Sequence, residues 1–154
     1  MPEPTISERI QTEMVRAMKE KDADSLSTIR MLKAALMEAK TAKPKDSVLS
    51  EAEEIEILQR YVKKRRETIE MNTQIGKPEL NASEEREIAV TQRFLPQLLS
   101  EDEVAAIVKE AVASTGAAGP KDMGKVIGAV MAKVPKGTVE GSTVSRLVKA
   151  ALGG

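Results

Sequence analysis

The sequence predicts an all-helical protein in two parts, and three observations predict it. Apolar residues recur at every third or fourth position in one segment after another, as on one face of an α-helix, and no segment shows the period of two that marks a strand. Aromatic residues make up 1% of the 154 residues, so aliphatic side chains, alanine and methionine must fill the core, as suits helix packing. Prolines and glycines separate the apolar segments. We therefore expect an N-terminal bundle of about four helices over residues 1–96 and a small three-helix domain over residues 100–154.

Four helices are expected in the first part of the chain. The first begins after Thr5 or Ser7 and ends at Lys21, and the second begins after Asp24 and ends before Pro44. The third runs from after Ser50 to near Gln74, and the fourth from near Ser83 to before Pro96. The pairs Thr5–Glu8 and Ser50–Glu53 have the spacing of a capping box, in which side chains satisfy the free N–H groups of a helix start. Proline disfavours the α conformation in the residue before it, so Pro96 is expected to stop the fourth helix.

Three helices are expected in the second part. Ser100 and Glu103 form a third capping-box pair and open the fifth helix. The segment Lys121–Gly137 is interpreted as one amphipathic helix that Pro135 and Gly137 end. Ser142 is expected to cap the seventh helix.

The sixth helix carries two contrasting stripes. The apolar stripe consists of Met123, Val126, Ile127, Val130 and Val134, and the bare stripe consists of Gly124, Gly128 and Ala132. Because glycine inside a helix costs roughly 1 kcal/mol relative to alanine, two glycines on one stripe require a reason. The bare stripe would let a large partner come close, either another helix backbone or a nucleic-acid backbone.

Basic residues collect at the end of a chain whose formal net charge is zero. From Pro120 onward there are six basic and two acidic residues, which gives this tail a net charge of +4. The six are Lys121, Lys125, Lys133, Lys136, Arg146 and Lys149. They are candidates for contacts with phosphate, and Gly124 and Gly128 are candidates for close approach. The alternative is a solvated surface with a helix crossing at the two glycines, and the residue pattern alone favours this alternative.

The composition excludes several kinds of chemistry. The chain has no cysteine and no histidine, which removes disulfides, thiol nucleophiles, Cys/His metal sites and histidine general bases. The glutamates cluster at helix starts, the basic run Lys63–Arg66 is interpreted as a polar helix surface, and the methionines are expected to fill the core. No catalytic residue, metal or cofactor is therefore expected. The absence of a membrane span and of a signal-peptide core predicts a cytoplasmic protein.

Two segments resemble a known family. At residues 95–100 (Leu-Pro-Gln-Leu-Leu-Ser) and 121–128 (Lys-Asp-Met-Gly-Lys-Val-Ile-Gly) the chain resembles the YqeY family. That family is similar to the C-terminal tail of the GatB component of the glutamyl-tRNA/aspartyl-tRNA amidotransferase. The resemblance covers essentially the whole chain. One turn departs from the family pattern of Lys-Gly, a small residue and Asp-Gly, since residues 136–141 read Lys-Gly-Thr-Val-Glu-Gly, and we expect the same turn.

The resemblance implies a role near tRNA rather than a reaction. In the amidotransferase the tail engages tRNA while the amidation chemistry lies elsewhere, and this chain has neither an amidase Ser-Ser-Lys signature nor an ATP cradle. The first hypothesis is a non-catalytic module that binds tRNA or a tRNA-bearing enzyme. The second is an adaptor that docks an aminoacyl-tRNA synthetase or amidotransferase subunit through the third helix and the methionine-rich faces. The third is an accessory subunit in glutamine-dependent transamidation.

Overall fold

A computed structural model of the chain describes residues 2–153, and the regular structure in this range is entirely helical. The helices are α1 (Ile6–Lys19), α2 (Ala23–Thr41), α3 (Glu51–Gln74), α4 (Ala82–Gln92), α5 (Glu101–Thr115), α6 (Met123–Lys133) and α7 (Gly141–Ala151), with 3₁₀ turns at Pro78–Asn81 and Pro120–Asp122. The all-helical prediction is confirmed. Contacts between Cα atoms divide the chain after Pro96. We call the part up to Pro96, which contains α1–α4, the N-terminal unit, and the part from Gln97, which contains α5–α7, the C-terminal unit.

The N-terminal unit is built around α2, which contacts α1, α3 and α4. The helical face of α2 that carries Ile29, Leu32 and Leu36 is buried, as the apolar spacing predicts. The core of this unit comprises Ile6, Ile10, Ala17, Ile29, Leu32, Leu36, Ile55, Leu58, Val62, Ile88, Val90, Phe94 and Leu95.

Three predicted helix starts are confirmed. The Thr5 hydroxyl accepts a hydrogen bond from the Glu8 N–H at 3.1 Å, at the start of α1. Complete capping boxes open α3 and α5, at Ser50–Glu53 and Ser100–Glu103. In each box the serine oxygen accepts the backbone N–H three residues later, at 3.1 Å, and the glutamate accepts the N–H of the serine.

Two polar side chains connect helices of the N-terminal unit over long sequence separations. Glu54 of α3 is 3% exposed, and its Oε2 accepts hydrogen bonds from the Ser7 N–H at 3.0 Å and from the Ser7 hydroxyl at 2.5 Å. Arg9 of α1 donates from Nη2 to the backbone carbonyl of Arg93 at 2.8 Å, just beyond the end of α4. A cation at a helix C-terminus satisfies carbonyl groups that the helix leaves unpaired.

A third polar cluster joins α3 to α4. The Arg65 guanidinium lies 4.1 Å from the centroid of the Tyr61 ring, and its Nε is 3.4 Å from carboxylate oxygens of both Glu84 and Glu87. The Tyr61 hydroxyl donates to Glu87 Oε1 at 2.8 Å. Arg65 Nε makes no hydrogen bond, so this side chain is held by attraction to the two carboxylates and by its contact with the Tyr61 ring. The Lys63–Arg66 run is therefore divided, since Arg65 turns to α4 while Lys63 and Lys64 are exposed.

The C-terminal unit is a set of three helices that contact one another around a valine-rich core. Its buried residues are Val104, Val108, Ala111, Val126, Val130, Val134, Val139, Val144 and Val148. Gly137 has a φ of 85° in the turn between α6 and α7, a conformation that residues with a Cβ rarely adopt. The Leu99 N–H donates to the Thr138 carbonyl at 2.8 Å, so the segment before α5 is tied to that turn.

Two details of the predicted helices are wrong. The sixth helix is predicted over Lys121–Gly137, but α6 spans Met123–Lys133: the residues just before it form a 3₁₀ turn, and Val134 is extended. Ser142 is predicted to cap α7, but the capping position falls on Glu140, which makes no side-chain cap.

The methionines differ most from expectation. Five of them are exposed by 45–62%, namely Met18, Met31, Met37, Met71 and Met131. Only Met14 and Met123 are partly buried and pack against the cores of their units, within the described residues 2–153. The prediction that the methionines fill the core is therefore wrong for those five, and they form apolar surface instead.

Candidate nucleic-acid interface

The two stripes of α6 lie on opposite sides of the helix. Val126 and Val130 are fully buried in the core of the C-terminal unit. Gly124, Gly128 and Ala132 are all exposed. Residues four apart share a helix face, so the bare stripe forms one continuous strip on the solvent side. We call this strip, together with Lys125, the outer face of α6.

The glycines of this face do not pack against another helix. A Cβ atom built on Gly124 or on Gly128 would meet no atom within 4 Å among the residues the structure describes. The structure therefore contradicts the helix crossing at Gly124 and Gly128 that the sequence analysis left open. Two interpretations of these glycines remain, a solvated surface and a surface for an external partner.

Two of the six candidate basic residues lie beside the glycines. Lys125 is exposed within the outer face of α6, and Lys121 is exposed in the 3₁₀ turn that leads into the helix. Within residues 2–153 neither side chain makes a hydrogen bond or an ion pair. The acid between them, Asp122, turns away and accepts the Ala118 N–H at 2.9 Å. The start of α6 thus presents two unpaired ammonium groups next to bare backbone.

Two other candidates are paired with acids of α5. Lys133 Nζ lies 3.0 Å from Glu110 Oε1, and the Arg146 guanidinium pairs with Glu101. All four side chains are at least 41% exposed. Exposed ion pairs of this kind contribute about 0–1 kcal/mol, so a competing phosphate can displace them.

The last two candidates lie at other places in the unit. Lys136 is exposed in the turn between α6 and α7, and Lys149 is exposed near the end of α7. Helix α5 adds four acids, so the C-terminal unit as a whole has seven basic and six acidic residues. The charge of +4 counted from Pro120 therefore belongs to the tail of the sequence and not to the folded unit, and any basic surface is local.

Two features of the described part of the chain bear on whether its groups could bind a metal or exchange a proton. No cluster of three or more acidic, histidine or cysteine residues that could hold a metal occurs in residues 2–153. The pKa of Tyr61 is raised to about 12, first because burial disfavours the phenolate and second because Glu87 accepts its hydrogen bond. That shift favours the neutral phenol and fits a structural tyrosine. Among the described helices, none combines the length and apolar content that crossing a bilayer requires.

Comparison with known proteins gives a family and one curated relative. The profile of the YqeY family, described as Yqey-like protein, matches residues 7–152. The chain is also 26% identical over 155 residues to "Altered inheritance of mitochondria protein 41, mitochondrial" of Pyrenophora tritici-repentis, a match that covers 99% of this chain and 83% of that protein. The name of that relative refers to mitochondria, and the cytoplasmic location expected for this chain stays a prediction. Because the family profile spans nearly the whole chain, as the resemblance at residues 95–100 and 121–128 predicts, the chain belongs to the YqeY family.

Proposed function

We propose that the chain is a non-catalytic, two-domain protein whose C-terminal domain binds tRNA, or an enzyme carrying tRNA. The domains are a four-helix domain over residues 1–96 and a three-helix domain over residues 100–154. The observation that carries this proposal is the outer face of α6, where Gly124 and Gly128 are open to solvent between and beside unpaired lysines. An RNA backbone would lie along this face.

Glycine at these positions is costly without a partner. Each glycine loses roughly 1 kcal/mol of helix stability relative to alanine, and no packing contact among residues 2–153 requires either one. Contact with an external backbone supplies the missing reason, since a phosphate chain approaches a bare helix more closely than one that carries side chains. Lys121 and Lys125 would then neutralise phosphates on either side of Gly124.

The mode of binding follows from what the C-terminal unit contains. The two aromatic residues of the chain, Tyr61 and Phe94, both belong to the N-terminal unit, so the C-terminal unit has no aromatic side chain on which a base could stack. Recognition would therefore depend on shape and backbone charge. Lys133 and Arg146 would join after exchanging their acidic partners on α5 for phosphate, and Lys136 and Lys149 would extend the contact along the turn and α7.

The test is binding of the full chain to bulk tRNA across a salt series. The logarithm of the binding constant should fall linearly with the logarithm of the salt concentration, with a slope of about −0.7 to −0.9 for each phosphate contact. The variant Lys121→Glu/Lys125→Glu should bind at least tenfold more weakly and should lower the slope. The matched control Lys63→Glu/Lys64→Glu makes the same change of net charge on α3 and should bind as the wild type does.

The glycines are tested separately from the charges. Gly128→Leu places a bulky side chain on the outer face of α6 where no internal atom opposes it, so the fold should tolerate it while RNA affinity falls. Equal loss of affinity in both charge variants would show that RNA senses only net charge, and the proposal would fail. If Gly128→Leu binds tRNA as tightly as the wild type does, the bare stripe is not the place where the RNA backbone approaches the helix.

A protein-interaction adaptor is the second candidate, and the exposed methionines favour it. Five methionine side chains on the surface provide flexible apolar area that suits protein partners. The partner would be an aminoacyl-tRNA synthetase or an amidotransferase subunit. If purified chain fails to bind tRNA at low salt but co-purifies with such an enzyme, and Met31→Lys or Met71→Lys breaks that complex, the adaptor hypothesis replaces the first.

A further inference from the structure

A groove runs between α1 and α2 of the N-terminal unit. It is open to solvent, has a volume of about 160 Å³ and is lined by Ser7, Ile10, Lys33, Leu36, Met37 and Lys40. We call it the α1–α2 groove. An apolar cavity of about 150 Å³ accepts a benzene-sized group, so the groove has room for one large apolar side chain.

The floor of the groove is apolar and rigid. Ile10 is 1% exposed and Leu36 is 4% exposed, so the floor consists of core side chains fixed by packing on their other sides. Met37 stands at the rim and is 58% exposed. Its unbranched thioether can fold over an incoming apolar group, as methionines do on adaptable binding surfaces.

Positive charge stands at both ends of this floor. Lys33 and Lys40 are seven residues apart on α2, about 10 Å along the helix axis, with Met37 between them. Lys33 Nζ donates to Gln11 Oε1 at 2.9 Å, a neutral partner, and Lys40 makes no ion pair or hydrogen bond within residues 2–153. None of the six lining residues is acidic. Arg30, also exposed, continues the basic row one turn before Lys33.

We propose that the α1–α2 groove binds an acidic amphipathic helix of a partner protein. One apolar side chain of that helix would fill the floor over Ile10 and Leu36. Carboxylates on either side of it would pair with Lys33 and Lys40. The charge of the rim selects the sign of the partner. The exposed apolar side chain of Met37 favours a peptide over a nucleic acid, because a phosphate backbone offers no apolar group to cover it.

The spacing of the two lysines sets the spacing of the partner's acids. In a helix lying along α2, carboxylates about 10 Å apart are seven residues apart, which is two turns. An apolar anchor level with Met37 falls four residues after the first carboxylate in a partner helix that runs parallel to α2, and three residues after it in an antiparallel one, on the same face in both cases. The groove thus specifies a glutamate, an apolar anchor and a second glutamate at positions 1, 5 and 8 for the parallel direction, and at positions 1, 4 and 8 for the antiparallel direction.

The experiment uses the full chain and two fluorescently labelled synthetic helical peptides, with Glu, Leu and Glu at one of these spacings in each. Binding measured by anisotropy should weaken at least tenfold for Lys33→Glu/Lys40→Glu and for Met37→Glu. The control Lys63→Glu/Lys64→Glu, with the same change of net charge on α3, should bind as the wild type does. Peptides with Leu→Ser, or with both Glu→Gln, should each lose at least tenfold.

Several outcomes would overturn the proposal. The proposal fails if neither peptide binds at millimolar protein. It also fails if Lys33→Glu/Lys40→Glu and Lys63→Glu/Lys64→Glu weaken binding equally, because equal weakening would indicate general charge attraction. Displacement of bound peptide by tRNA, with loss of tRNA affinity in Lys33→Glu/Lys40→Glu, would assign the groove to nucleic acid instead. Amide shifts in nuclear magnetic resonance must map to α1 and α2, and shifts confined to other helices would contradict it.

Discussion

Glu54 of α3 is buried against Ser7 of α1, and its Oε2 accepts both the backbone N–H and the hydroxyl of that serine. The Ser7 N–H belongs to the first turn of α1, where a helix has no internal acceptor for its donors. A carboxylate at this position also faces the positive end of the helix dipole. One side chain therefore completes the start of α1 and joins that helix to α3.

Removing this carboxylate should be costly. Glu54→Ala leaves the Ser7 N–H without its charged acceptor, and hydrogen bonds to charged groups contribute about 1.5–3 kcal/mol each. We expect the free energy of unfolding to fall by about 3 kcal/mol for Glu54→Ala, which removes the acceptor of both bonds, and by about 1.5 kcal/mol for Ser7→Ala, which removes only the hydroxyl. Urea unfolding followed by circular dichroism measures both. Glu51→Ala, in the same first turn of α3 but exposed, is the control, and a loss equal to that of Glu54→Ala would contradict the prediction.

Acid should weaken the start of α3 through Glu53. The Lys43 ammonium, which hydrogen-bonds to Glu53 Oε1 at 2.8 Å, and the N–H of Ser50 lower the pKa of this carboxyl from 4.5 to about 2. A lowered pKa means that the fold favours the ionised form. Its contribution to stability is therefore present above about pH 4.5 and is lost as the pH falls toward about 2.

The variant Glu53→Gln tests this dependence, because its side chain does not titrate. Its free energy of unfolding should change less than that of the wild type between about pH 4.5 and about pH 2. Lys43→Met should flatten the same region, since it removes the largest cause of the shift. Parallel pH profiles for wild type and Glu53→Gln would rule out a lowered pKa at this residue.

The single tyrosine should titrate late. Burial and the hydrogen bond to Glu87 raise the pKa of Tyr61 to about 12, from the usual 10. A raised pKa favours the neutral phenol in the fold, so this contribution to stability is present below pH 10 and is lost as the pH rises through about 12. Phenolate absorbance of the native protein should show the late titration, and urea should return it to about 10. Titration of the native protein at the ordinary pKa of about 10 would contradict the raised pKa of Tyr61.

Glycines should respond oppositely to alanine according to their backbone. Gly128→Ala should raise the free energy of unfolding by about 1 kcal/mol, because Gly128 is helical and a Cβ there meets nothing. Gly137→Ala should lower it by about 1–2 kcal/mol, since its φ of 85° strains an alanine. The single variant Ala132→Gly, on the same face of α6, should lower the free energy of unfolding by about the amount that Gly128→Ala raises it. Thermal or urea unfolding of the three variants decides, and destabilisation by Gly128→Ala would indicate packing that the structure does not contain.

Local signals predict the helices well, and their failures have geometric causes. The cap at Thr5 and the boxes at Ser50 and Ser100 depend on residues three apart, so the sequence contains all the information needed. Ser142 fails as a cap because α7 already begins at Gly141, which places the serine inside the helix.

Met18 departs from its expected burial for a different reason. The apolar residues Ile6, Ile10, Met14 and Met18 recur every four residues. Each step of four residues advances about 40° around a helix of 3.6 residues per turn, so Met18 lies about 120° from Ile6. Ala17, nearly in line with Ile6, takes the buried position in its place.

The polar links and the groove depend on tertiary structure and are harder to foresee. By sequence Glu54 is one of several acids at a helix start, yet it lies four residues before Leu58 and eight before Val62, on the buried side of α3. That spacing is the available signal. Nothing local indicates that Ser7 is the partner, 47 residues away. The α1–α2 groove likewise requires two helices to be placed side by side before Lys33 and Lys40 acquire a common floor.

The five exposed methionines make the surface of the protein sensitive to oxidants. The chain has no cysteine, so methionine is its only oxidisable sulfur, and the five exposed thioethers can become sulfoxides without opening either core. Conversion to the sulfoxide turns an apolar side chain into a polar one and is reversible by methionine sulfoxide reductases. At Met37 that change falls on the rim of the α1–α2 groove, where it would make the site poorer in apolar contact and couple partner binding to the redox state of the cell.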